Sequence, residues 1–128
     1  MGVRLHVCPM DGVSHPTLLD LCKACAEISA VYGLSIEWKD GHYGSLFSIY
    51  FGPEEDGGLV LGVNSEGNGD FVTFHQEGGG DLLTYLRWIR ALSRCSGDQC
   101  VICDAGGGPF TVHPETNDEE LQGLLDKM

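Results

Sequence analysis

Residues 34–75 read LSIEWKDGHYGSLFSIYFGPEEDGGLVLGVNSEGNGDFVTFH, and the period of this stretch decides the fold. Leu34, Ile36 and Trp38 alternate with Ser35, Glu37 and Lys39, the two-residue repeat of a half-buried strand. Asp40-Gly41-His42-Tyr43-Gly44 supplies turn chemistry, after which Phe47, Ile49 and Phe51 alternate with Ser48 and Tyr50. Pro53 to Gly58 is a second turn, Leu59, Leu61 and Val63 a third apolar row, and Asn64 to Asp70 a third turn before Phe71-Val72-Thr73-Phe74-His75. Strand starts near 34, 45, 59 and 71, joined by short connections, predict an antiparallel meander. Phe74, Val72, Tyr50, Leu46 and Val60 fall on its second register, an apolar area that needs cover or a partner.

Outward from the meander the period changes to that of helices. Upstream, Ser14 reads as a cap and Pro16 as a first-turn residue. Leu18, Leu21, Cys22, Cys25, Ile28 and Tyr32 then recur at three- and four-residue steps, and Gly33 stops the helix. Val3 to Val7 alternates as a short first strand ending at Cys8-Pro9. Downstream, Asp81 caps a second helix whose apolar side is Leu82, Leu86, Ile89 and Leu92, with Leu83, Tyr85 and Trp88 beside them. Arg87, Arg90 and Arg94 form its other flank, near the C-terminal end where the helix dipole favours cations. Cys100 to Cys103 reads as a fifth short strand, and Phe110-Thr111-Val112 as a possible return to the sheet. Asn117 with Glu120 is a capping box before a short acidic helix carrying Leu121, Leu124 and Leu125. The predicted fold is α+β: a four- or five-stranded antiparallel meander, helices at 16–32 and 81–95 on one face, and a short C-terminal helix. No repeat and no linker divides the 128 residues, so residues 1–128 read as one domain.

Charge bounds the partners. Nineteen Asp and Glu face seven Lys and Arg, a formal net of -12. Between Lys39 and Arg87 there is no basic residue, while Asp40, Glu54, Glu55, Asp56, Glu66, Asp70, Glu77 and Asp81 fall in that interval. Such a surface repels nucleic acid and anionic membrane and attracts basic protein surfaces over about 8 Å at physiological salt. The hairpin loops alternate between the two ends of a meander, so this negative field is spread over both rims. No apolar run approaches the roughly 20 residues that span a bilayer, and no secretory signal opens the chain, which points to the cytoplasm and to mostly reduced thiols.

Motifs for chemistry are sparse. Cys22-Lys23-Ala24-Cys25 and Cys100-Val101-Ile102-Cys103 have zinc-ligand local spacing, but they lie far beyond the roughly 15–20 residues that usually separate such pairs. Cys22 and Cys25 also fall on the apolar side of a helix, where buried thiols are the simpler reading. Asn64 to Asp70 has oxygen side chains at alternate positions like the front of a calcium loop, but His75 stands where the closing carboxylate belongs. Gly78-Gly79-Gly80 is bracketed by Glu77 and Asp81, which disfavours phosphate. His42, His75 and His113 have no spacing relation to a nucleophile, so no catalytic residue, metal ligand or cofactor is assigned. The expectation is a small acidic binding protein that blocks or titrates a basic partner, as toxin-immunity proteins and phage-encoded inhibitors of host defence do at similar size and charge. Asp40, Glu54, Glu55, Asp56, Glu66 and Asp70 would steer the partner, and Trp38, Tyr43 and Tyr50 would anchor it. The alternatives are a small α+β enzyme or ligand-binding domain with a Cys/His site, and a zinc-stapled interaction module.

Overall fold

A computed structural model describes residues 5–14, 16–40, 47–51, 60–65, 71–76, 82–103 and 109–127. The elements run β1 (Leu5–Pro9), α1 (Leu18–Tyr32), β2 (Ile36–Asp40), β3 (Phe47–Phe51), β4 (Val60–Ser65) and β5 (Phe71–Gln76). They continue with α2 (Leu82–Ser96), β6 (Gln99–Cys103), β7 (Phe110–Val112) and α3 (Asp118–Asp126). The class is α+β, and every strand pair is antiparallel.

The single meander of four or five strands is corrected. The described strands form a seven-stranded sheet in the order β2-β3-β4-β5-β1-β6-β7. Strands β2 to β5 follow one another, but β1 then inserts beside β5 and carries β6 and β7 on its far side. A short ladder, His6 opposite His75 and Val7 opposite Phe74, joins the two halves. No local pattern reveals this insertion, because the pairing of β1 is chosen across more than sixty residues of chain.

Sheet order dictates where the helices go. In an antiparallel sheet of this order β1 runs parallel to β2, and β5 parallel to β6, so α1 and α2 are both crossover connections. They travel in opposite directions across the sheet from strands that also point in opposite directions. Right-handed crossovers then place both on one face. The two helices do pack on each other, and α2 also touches α3, β6 and β7. Packed between its helical neighbours and the β6–β7 end of the sheet, α2 is enclosed along much of its length: Tyr85, Leu86, Trp88, Ile89, Arg90, Ala91, Leu92 and Ser93 are all buried. The apolar ones among them share one core cluster with Leu21, Ala24, Cys25 and Ile28 of α1, Leu121 of α3, and Val7, Ile49, Val101 and Val112 of the sheet.

Two boundaries differ from expectation. Thr17, not Ser14, caps α1, because the Thr17 hydroxyl accepts from the Asp20 N–H while the Asp20 carboxylate accepts from the Thr17 N–H. Gly33 ends the helix in the left-handed region at φ 66° as expected. The second apolar register also divides. Tyr50 pairs with Val60 on the face away from the helices, whereas Phe74 pairs with the buried Val7 on the helix-facing register. Ladder alternation decides this, since each strand's faces swap with a one-residue shift.

Arg90 marks the largest departure on α2. Placed on an exposed flank by sequence, it is 8% exposed. Its guanidinium donates to the Thr116 carbonyl at 2.9 Å and the Tyr32 hydroxyl at 3.1 Å, and it pairs with Asp118 at 2.8 Å. The turn that presents Thr116 is set locally: the Thr116 N–H returns to the His113 carbonyl, and the Thr116 hydroxyl accepts from the His113 N–H. Pro114 supplies the fixed φ such a turn prefers at its second position. Asn117 then caps α3 through a reciprocal box with Glu120. Arg90 thus ties α1, α2 and α3 together.

Candidate functional site

Small side chains on one stripe of α1 leave a gap against the sheet. Cys22, Cys25, Ala26 and Ser29 recur at the steps that share a helix face, and opposite them stand Ile36 and Trp38 of β2. Together they line an open cavity of about 320 Å³ at the β2 edge of the sheet. Ile36 and Trp38 face α1 because their ladder partners are Phe51 and Ile49, and Ile49 is fully buried. The Ser29 hydroxyl donates to the Leu34 carbonyl at 2.8 Å, which fixes how the chain leaves α1 and enters β2.

The cavity lining is more apolar than polar, with thiols as its titratable groups. Burial pushes the Cys25 thiol up to about 11, and a hydrogen bond with Trp88 offsets only part of that. At neutral pH Cys25 is therefore a protonated, packed side chain and a poor nucleophile. Cys22 is exposed rather than buried, a correction to its placement on the core side of α1. Among the described residues no histidine or carboxylate lines this cavity. Its chemistry is that of a receptor for an apolar or aromatic group, with Trp38 (39% exposed) at its rim.

The two C-x-x-C pairs do not converge. Cys100 and Cys103 are three apart on β6, at register positions of opposite parity rather than at one position of the ladder. Cys100 pairs with Cys8 across the ladder, and Cys103 with Leu5. Among the described residues no group of three His, Cys, Asp or Glu side chains could hold a metal.

The proposed anchors are separated. Trp38 shares the helix-facing register with Ile49, whereas Tyr50, opposite Glu37, lies on the other face. One partner surface cannot hold both in a flat contact. Tyr43, Glu54, Glu55, Asp56, Glu66 and Asp70 lie outside the described residues, and Asp40 is placed only by its backbone, at the end of β2 opposite Phe47.

The arginine flank is neutralised internally. Arg87 pairs with Asp118 at 2.9 Å and stacks over the Tyr32 ring at 4.6 Å, while Arg94 pairs with Glu27. With Arg90, three of the seven basic residues are committed to the helical layer. The arginines beside Asp118 hold its carboxyl below the usual range. Of the groove residues only Trp38 was expected at a site; Cys22, Cys25, Ala26, Ser29 and Ile36 were not. The signal available was the run of small residues on one helical stripe. No family model matches the chain, and no curated protein or solved structure is similar enough to match it.

Proposed function

We propose that this protein is a small acidic binding protein, of the inhibitor or immunity type, that engages a basic protein partner in the cytoplasm. The observation that carries this reading is Trp38, 39% exposed on the edge strand β2 at the rim of an apolar cavity. An indole at such a rim suits the cationic and apolar side chains of a basic surface, through ring-face attraction of Lys or Arg and through desolvated packing. The net of -12 already counts Arg87, Arg90 and Arg94, and their pairing with Asp118 and Glu27 leaves that net unchanged toward an approaching cationic surface. Binding is favoured over catalysis because, among the described residues, no histidine or carboxylate lines the cavity beside its thiols.

The test uses wild-type protein and Trp38→Ala as parallel baits in extracts of the native host. The expected result is a basic protein held by wild type at about 0.05 M salt, released near 0.5 M, and captured at least tenfold less by Trp38→Ala. Trp38 is exposed, so thermal stability of that variant should stay close to wild type. A partner that is retained equally at both salt concentrations and by both baits would remove the proposal.

A further inference from the structure

The sheet face turned away from the helices gathers sulfur at one place. Val7 of β1 is buried in the core, so alternation puts His6, Cys8 and Met10 on the opposite face. Val101 of β6 is buried likewise, which puts Cys100 and Ile102 on that same outer face, where Ile102 is 44% exposed. The ladder sets Cys8 directly opposite Cys100. Both are half-buried, and their thiols are hydrogen-bonded to each other. Burial, and then the neighbouring Cys8 sulfur, hold the Cys100 proton more tightly than usual.

The kind of ladder position can be read from its neighbours. The Met10 N–H donates to the Asp98 carbonyl at 3.1 Å, one step beyond the Pro9–Gln99 pair. Hydrogen-bonded and non-hydrogen-bonded pairs alternate in an antiparallel ladder. Pro9, with no N–H to give, falls on a non-hydrogen-bonded pair, and Cys8–Cys100 on a hydrogen-bonded one. Cα atoms in such a pair stand about 5.5 Å apart, inside the roughly 4.4–6.8 Å that a disulfide spans. The Cβ atoms are wider apart than at the alternate position, so closing the bond must draw the strands together. That favours a reversible bond over a permanent staple.

We propose that Cys8 and Cys100 form a peroxide-sensitive dithiol, a modification site whose oxidised form is an intramolecular disulfide between β1 and β6. In the first step the Cys8 sulfur, its proton lost, attacks one peroxide oxygen. The O–O bond breaks, leaving Cys8 as a sulfenic acid and a hydroxide that takes up the proton as water. The Cys100 sulfur then attacks the Cys8 sulfur. The S–S bond forms, the S–O bond breaks, and the departing hydroxide takes the Cys100 proton as a second water. Two thiols lose two electrons and one peroxide gains them. The bond ties two interior strands of the sheet across a loop of about ninety residues, long enough for a marked loss of unfolded-state freedom.

The other cysteines give internal controls. Cys22 and Cys95 are exposed on the helices, and the backbone of Cys103 is paired with Leu5 in the ladder. The experiment treats the full chain with a few equivalents of hydrogen peroxide, then alkylates, digests without reductant and reads the peptides by mass spectrometry. Expected are a Cys8–Cys100 cross-linked peptide two hydrogens lighter than the reduced pair, a monomeric chain, recovery of both thiols with dithiothreitol, and a melting temperature raised in the oxidised form. Cys8→Ser and Cys100→Ser should each abolish the cross-link and the rise. Should either variant fold poorly, differential alkylation of wild type serves: Cys22 and Cys95 label in both states, Cys8 and Cys100 only when reduced. The proposal is overturned if Cys8 and Cys100 stay alkylatable after peroxide, if they end as sulfinic acids, or if the link runs to Cys103 or to a second chain.

Discussion

Replacing Arg90 with Met tests whether one buried guanidinium holds the helical layer together. The substitution keeps an unbranched apolar stem of similar length but removes the charge and every donor. Three consequences follow at three different exposures. The Thr116 carbonyl, on a residue 8% exposed, loses its 2.9 Å donor and is stranded where water reaches it poorly, at about 1–3 kcal/mol. The Tyr32 hydroxyl, half-buried, turns to solvent at little cost. Asp118, whose side chain is 50% exposed, keeps Arg87 and its hydration, so its loss is under about 1 kcal/mol. Against these stands relief of the desolvation that Arg90 suffers in the folded chain. The carbonyl decides the sign, and the expected net loss is about 2 kcal/mol. Arg90→Ala, which also opens a void between α1 and α3, should lose about 3–4 kcal/mol. Urea unfolding followed by tryptophan fluorescence suits the measurement because Trp88 is fully buried in the same layer, with an unchanged m-value showing that only stability moved. A double-mutant cycle of Arg90→Met with Asp118→Asn should show coupling of roughly 1 kcal/mol. Wild-type stability for Arg90→Met, within about 0.5 kcal/mol, would refute the idea that this side chain ties the three helices.

Asp118 gives a pH signature of the same cluster. Its folded carboxyl lies below the ordinary 3.8, so its contribution is present above that value and is lost as pH falls through the lower, folded one. Acid titration of stability should therefore fall more steeply in wild type than in Asp118→Asn below about pH 4, and parallel curves would contradict the pairing. Gly97→Ala should cost about 2–3 kcal/mol, because φ is 112° and a Cβ there would stand 2.8 Å from a Val13 methyl. A melting temperature within a degree of wild type would show that the α2–β6 turn relaxes freely. Thr17→Ala should lose about 1 kcal/mol through the α1 cap, while Ser14→Ala should change little. Equal effects of the two would put the helix start back at Ser14.

What could be read in the chain was whatever is local. Apolar period two gave the strands of the 34–75 stretch, and three- and four-residue steps gave α1 and α2. Gly33 and the Asn117–Glu120 box marked real helix ends, because caps act within a few residues of themselves. The start of α1 was misplaced by three residues because Ser14-x-Pro16 and Thr17-x-x-Asp20 are both plausible caps, and only the reciprocal bond at Thr17 separates them. Charge and the lack of a catalytic signature were also visible directly. Tertiary structure decided the rest, for one physical reason: a strand's partner and a side chain's burial depend on which distant segments arrive beside it. Inserting β1 between β5 and β6 brought Cys8 against Cys100 across some ninety residues, and α2 came to pack on α1, α3 and the β6–β7 end of the sheet. That position buried Arg90 on what looked like a solvent flank, and the β2–β3 register put Trp38 and Tyr50 on opposite faces. Composition determines that the molecule is acidic; only its packing determines which of its few bases, thiols and aromatic rings are left to meet anything else.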